Sequence, residues 1–107
     1  MIKVDIKPLS VNNAWQGKRF KTPDYKQYER DVLLILPKIK IPKGSLRLDI
    51  VFCFSNKASD IDNPIKPILD IMQKKYGFND SIIYELNIKK QIVKKGKESI
   101  SFIISKL

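Results

Sequence analysis

Four aspartates, Asp60, Asp62, Asp70 and Asp80, fall within one 21-residue stretch of a 107-residue chain whose formal net charge is +10. Over residues 60–85 five acids face three lysines, a net charge of −2, so the remaining residues carry +12. Two carboxylates about 4 Å apart repel by roughly 4 kcal/mol at an effective dielectric of about 20, and a converging set therefore needs a cation to hold it. The chain contains no histidine and a single cysteine, Cys53. Imidazole bases, Ser-His-Asp and Cys-His triads and Cys/His zinc sites are thereby excluded. An all-oxygen donor set fits a hard divalent ion, Mg²⁺ first and Mn²⁺ second.

The spacing of these residues says how they would be presented. Asp60 and Asp62 stand two apart just past a strand end, where an extended backbone would point both side chains to one face. Lys66 and Asp70 are four apart on one helical stripe, at the border of core and solvent. Asp80 lies in Gly77-Phe78-Asn79-Asp80-Ser81, ahead of another strand, and is expected to return to the same end of the sheet. Carboxylates at the C-terminal edge of a strand, beside a helix N-terminus, hold the usual site position of α/β sheets. Each acid also has a plain structural use: Asp60 in a turn, Asp62 or Asn63 as a helix cap, Asp70 as the partner of Lys66, Asp80 in a turn. Their joint occurrence in a basic chain is what favours a site.

The elements that must position them follow from periodicity. Ile2, Val4 and Ile6 alternate with charged residues, as in a strand with one buried face. The segment from Pro8 to Lys21 has no sustained period and reads as a long basic loop, of the kind that is usually functional or disordered. Thr22-Pro23-Asp24 opens a helix with a cap, a first-turn proline and an acid, and Pro37 ends it. Leu46, Leu48, Ile50, Phe52 and Phe54 mark a strand that is apolar on both sides toward its end. Asn63-Pro64 opens a second helix through Ile65, Ile68, Leu69 and Met72, with Gly77 as its C-cap. Tyr84, Leu86 and Ile88, then Ile100, Phe102 and Ile104, give two further strands, and Lys95-Gly96-Lys97 between them reads as a hairpin turn. The order β-α-β-α-β-β predicts one α/β (α+β) domain over residues 1–107, a mixed sheet packed by two helices.

A sequence pI near 9.8 favours a polyanionic partner, nucleic acid first. Eighteen lysines against three arginines suit phosphate contact better than base reading. No apolar run approaches the roughly 20 residues that span a bilayer, so no membrane is expected. A lone cysteine and an N-terminus unlike a signal peptide point to a cytoplasmic setting. Cys53, in an apolar strand with no imidazole to activate it, reads as a core residue.

The run Ser59-Asp60-Ile61-Asp62-Asn63-Pro64-Ile65-Lys66-Pro67-Ile68-Leu69-Asp70, followed by Phe78-Asn79-Asp80-Ser81-Ile82-Ile83, resembles the D-x-D-N-x-x-K-x-x-x-D…[DN]-D-x-x-I signature of the RusA family of Holliday junction resolvases. Pro8-Leu9-Ser10-Val11-Asn12-Asn13-Ala14-Trp15 is similar to that family's P-x-S-x-N-x-x-W opening, and Arg19 to Tyr25 resembles its early basic segment. The resemblance implies a small homodimeric, Mg²⁺-dependent endonuclease, commonly prophage-encoded, that resolves four-way DNA junctions without a small-molecule cofactor. The family's catalytic aspartates fall on Asp60, Asp62 and Asp80, and its functional lysine on Lys66. Where many members carry two acids in the later pair, this chain has Asn79-Asp80.

On that reading Asp60, Asp62 and Asp80 are the expected metal ligands for phosphodiester hydrolysis. Lys66 would stabilise the transition state or hold a carboxylate in place, and Asp70 is read as its partner in preference to a ligand, with Asn63 as further support. Asn12, Trp15, Lys18, Arg19 and Lys21 are the expected DNA contacts, cations on phosphates and the aromatic against bases. Two cuts related by a two-fold axis call for a homodimer. One rival is a non-catalytic nucleic-acid-binding module whose acids only cap turns; another keeps the enzyme and exchanges the junction for flaps, forks or RNA hybrids.

Overall fold

The computed structural model describes residues 1–10, 15, 16 and 20–107. In chain order the elements are β1 (Ile2–Val4), β2 (Trp15–Gln16), β3 (Phe20–Lys21), α1 (Pro23–Ile35), β4 (Leu46–Phe54), α2 (Ile65–Tyr76), a 3₁₀ turn (Asp80–Ile82), β5 (Ile83–Ile92) and β6 (Ser99–Lys106).

Local chemistry accounts for the helix limits. Thr22 Oγ1 accepts the Tyr25 backbone N–H at 3.1 Å and Pro23 follows at the first helical position, so α1 starts where its orphan donors find an acceptor. It stops at Leu36, which turns extended ahead of Pro37. At the far end of α2, Gly77 adopts the left-handed conformation at φ 71° and its N–H donates to the Gln73 carbonyl at 2.9 Å. A residue with a Cβ would be strained there.

The main sheet has the order β1-β6-β4-β5. β6 is antiparallel to both of its neighbours, and β4 is parallel to β5. β1, β4 and β5 therefore run one way and β6 the other. Leu48, Ile50, Phe52 and Phe54 of β4 are buried with Ile100 and Phe102 of β6 against Tyr25, Tyr28 and Val32 of α1 and Ile68, Ile71 and Met72 of α2. Both helices thus cover one face. The other face carries Arg47, Asp49, Glu85 and Asn87, with Arg47 Nε 3.0 Å from Asp49 and 2.9 Å from Glu85. Among the described residues no helix is long and apolar enough to cross a membrane.

The expected α+β class, with two helices and a mixed sheet, is what the chain forms, but two local expectations fail. The strands either side of Lys95-Gly96-Lys97 do not form a hairpin, because β4 lies between β5 and β6. A turn is present, with Lys97 N–H donating to the Lys94 carbonyl at 2.9 Å, yet Val93 N–H donates to the Phe54 carbonyl at 2.7 Å as the chain passes over the end of β4. The reason is burial. Ile100 and Phe102 are fully buried between β1 and β4, whereas pairing on the outer side of β5 would leave them at an edge. The stretch expected to be loop throughout also contains an antiparallel ribbon, β2 with β3, in which Trp15 faces Lys21.

Since Phe52 is wholly buried at the centre of this layer, Phe52→Ala should cost about 3–5 kcal/mol of unfolding free energy in a denaturant titration. Thr22→Ala, which removes one cap, should cost about 1 kcal/mol in the same measurement.

Candidate active site

At the C-terminal edge of β1 and β4, the two chains leaving those strands and the flank of α1 enclose a cleft of about 580 Å³. Pro8, Phe54, Pro64 and Tyr28 give it an apolar floor, and Asp60, Asn63, Asp24, Gln27 and Asp31 line its walls. The loop that carries Asp60 is held in several places. Asn56 Oδ1 accepts the Ala58 N–H at 2.9 Å, and the ammonium of Lys90, reaching over from β5, donates to the carbonyls of Lys57 and Ser59. Asn63 Nδ2 donates to Asp60 Oδ2 at 3.0 Å and so fixes one oxygen of that carboxylate.

From Asp60 the chain does not continue extended but bends through Ile61 and Asp62, so the expected shared face is not built by strand alternation. Asp60 lines the cleft; Asp62 is exposed beside it, and its backbone carbonyl accepts the Ile65 N–H at 3.4 Å. Neither Asp62 nor Asn63 caps α2: Pro64 takes the N-cap position and no side chain bonds the first turn. The positive end of the α2 dipole is thereby left facing the Asp60 loop. Within that turn Lys66 Nζ donates to Asp70 Oδ1 at 3.0 Å.

Asp80 lies elsewhere. Its N–H donates to Gln73 Oε1 at 2.8 Å, beside the last turns of α2, and Asn79 caps the 3₁₀ turn by accepting the Ser81 N–H at 2.9 Å. Ile83, which follows, is level with Leu46 at the start of β4, while Asp60 comes after its end. At about 1.5 Å per helical residue, Gln73 is some 12 Å along the axis from Ile65, the first residue of α2, and the bend carrying Asp62 comes before that end. The expected return of Asp80 to the same edge is thus overturned, because β5 runs parallel to β4 and the residue ahead of it belongs at the opposite edge. Among the described residues no three Asp, Glu or Cys side chains converge as a metal site.

The expected DNA contacts are divided. Asn12, Lys18 and Arg19 lie outside the described residues, and Trp15 contributes its backbone to β2. Lys21 Nζ is bonded to Glu29 Oε2 at 2.9 Å and stands 5.1 Å from the centre of the Tyr25 ring. Lys74 Nζ reaches the same Glu29 oxygen at 2.9 Å, so one carboxylate ties β3, α1 and α2 together. Burial alone would raise the Glu29 pKa, but the hydrogen bonds from Lys21 and Lys74 outweigh it and hold the carboxyl below its usual range. Burial, then the nearby charges of Asp70 and Glu29, pushes the Tyr25 phenol up to about 12.

Sequence reasoning missed the acids of α1. Asp24, Gln27 and Asp31 recur at i, i+3 and i+7, a polar stripe on one face, and Gln27 Nε2 donates to Asp31 Oδ1 at 2.8 Å. That spacing was available as a signal. Which neighbour the stripe faces was not.

A small basic α+β domain with carboxylates set at the C-terminal edge of its parallel strands has the make-up of a nuclease. The family model of endodeoxyribonuclease RusA matches residues 6–101, nearly the whole chain. The chain belongs to that family of Holliday junction-resolving endonucleases, as its motifs implied. No curated protein matches it significantly.

The Glu29 junction gives a pH signature. A carboxyl with a lowered folded pKa adds stability above its unfolded value, about 4.5, and loses it as pH falls through the folded value. Glu29→Gln should be less stable than the natural chain by about 1 kcal/mol at neutral pH. In urea titrations at successively lower pH that gap should begin to close below about 4.5.

Proposed function

We propose that this protein is a Mg²⁺-dependent, structure-specific endodeoxyribonuclease that binds four-way DNA junctions as a homodimer and resolves them by paired phosphodiester hydrolysis, in recombination and repair. The observation that carries this reading is the RusA match across residues 6–101, a span that includes Asp60, Asp62, Lys66 and Asp80 in order. The position of Asp60 in a cleft wall supports it.

Mg²⁺ is commonly held by one or two carboxylates, with waters and substrate phosphate oxygens completing its shell. Asp60 and Asp62, two residues apart on one bend, are a donor set of that size, and they would hold the ion. When bound, it supplies an activated water and charge neutralisation at the phosphoryl oxygens. Asn63 orients Asp60 through its 3.0 Å hydrogen bond. Lys66, steadied by Asp70, adds a cation one helical turn from Asp62 to meet the phosphate. The basic segment with Asn12, Trp15, Lys18, Arg19 and Lys21, which follows Ser10 in the sequence, would hold the DNA, although Lys21 would have to exchange Glu29 for a phosphate.

Asp80 cannot join Asp60 and Asp62 within one chain. A two-fold related copy can bring its own Asp80 to them, so each of two clefts would draw on both chains. This gives the homodimer a chemical reason in addition to the two-fold symmetry of paired cuts.

Asp62→Asn should lower Mg²⁺-dependent nicking of a synthetic four-way junction by at least about a hundredfold while gel-shift binding is kept or strengthened. Nicking at the natural rate would sink the metal-site reading and leave a junction-binding module. Sharing of the site is tested separately by mixing Asp62→Asn with Asp80→Asn chains, each inactive alone. A mixed dimer would hold one cleft with all its aspartates, and nicking should return; self-contained sites give no recovery.

A further inference from the structure

A two-fold dimer has to use some edge or face of this fold, and β5 has properties that mark it. It is ten residues long, contains neither Pro nor Gly, and among the described residues pairs only with β4, which leaves its outer side an open edge. Long open edges are commonly blunted by lysines or covered. Here one of the two lysines is turned away from that duty, since the Lys90 ammonium is bonded to the Lys57 and Ser59 carbonyls. The strand also keeps apolar side chains in water: Tyr84 is 71% exposed, Leu86 42% and Ile92 43%. β1, the opposite edge, has only three residues.

We propose that two copies of this chain join through β5, antiparallel, about a two-fold axis at Asn87, so that the two four-stranded sheets become one. A two-fold axis perpendicular to the sheet keeps both helix layers on the same side, and facing residues then come from the same face of each strand. Centred on Asn87, Glu85 faces Lys89 twice on the open face, and Leu86 faces Ile88 twice on the helix face. Centred on Ile88, Glu85 would face Gln91 and Leu86 would face Lys90. Centred on Leu86, Glu85 would face Asn87. Only the first of these three registers pairs opposite charges and places apolar against apolar, each pair adding to sheet stability.

The same register accounts for the distance of Asp80 from the other acids. Asp80 precedes β5 and the Asp60 loop hangs over its far end at Lys90, so reversing one strand against the other carries each chain's Asp80 toward its partner's Asp60 loop. Both lie on the helix side, Asp80 beside α2 through Gln73 and the loop through Lys90. This consequence for the metal site rests on the nuclease reading given above. The strand pairing does not.

The test uses Asn87→Cys in the full chain, without DNA or metal. Facing residues of antiparallel strands have Cα atoms about 4.5–5.5 Å apart, within the range a disulfide spans. Under a glutathione redox buffer Asn87→Cys should run mostly as a linked dimer on a non-reducing gel. The natural chain, whose Cys53 is buried, should not. Glu85→Cys and Lys89→Cys should link to each other when mixed and far less when alone, which fixes the register. Leu86→Lys should weaken association at least tenfold in sedimentation. The pairing is overturned if Asn87→Cys stays unlinked while Lys3→Cys, on the β1 edge, links, or if the chain sediments as a monomer with and without Leu86→Lys. Because none of these readouts needs cleavage, a linked dimer that cuts nothing would refute the nuclease reading and leave the interface intact.

Discussion

The parallel pairing of β4 with β5 decides where Asp60, Asp62 and Asp80 can be. A parallel pair has to be joined by a crossover, and α2 is that crossover. It leaves from the C-terminal edge of β4, where Asp60 and Asp62 are, and delivers the chain to the start of β5 at the other edge, where Asp80 is. Had the two strands been antiparallel, a short turn would have kept all three together in one chain. The separation of the carboxylates is therefore a property of topology, and no rotamer change within a single chain can undo it.

Charge is distributed around this frame in two ways. At the cleft, acids remain near water and close to the positive end of α2. Between the helices, Glu29 gathers Lys21 and Lys74 on one oxygen, and Lys75 Nζ donates to the Leu33 carbonyl at 3.0 Å, so several lysines of a strongly basic chain act as internal fasteners. The net +10 thus overstates the freely presented positive charge. The sequence after Ser10 carries two further cations, Lys18 and Arg19, ahead of Lys21, which is already shared with Glu29.

Much of this was legible in the sequence because it is written locally. Thr22-Pro23-Asp24 marked the start of α1, alternation from Leu46 to Phe54 marked β4, and Gly77 marked the end of α2, each through the conformational preferences of a few adjacent residues. The Asp60-Ile61-Asp62-Asn63 run and its sequel were legible as a family motif. Strand order was not. Lys95-Gly96-Lys97 has hairpin chemistry, but a turn fixes only the reversal of the chain and says nothing of which strand lies alongside. The placement of Asp80 depended on that order and failed with it. Two-residue strands such as β2 and β3 are too short for any periodicity to register, and the stripe of Asp24, Gln27 and Asp31 became part of the cleft only through the chains that α1 happens to face.

The insertion of β6 between β1 and β4 also sets an order of assembly. Among the described residues β1 has no strand partner except β6, and β4 is flanked on that side by β6 alone. Residues 2–4 must therefore wait, unpaired, while some ninety residues follow them out of the ribosome. Until then the contacts that can close are those without β6, among them the β4–β5 pairing across α2 and the packing of α1 on α2, and the loop bearing Asp60 and Asp62 lies between β4 and α2. The part of the fold that carries the chemistry is thus able to form first, and the arrival of β6 locks the remainder around it in a late, long-range step.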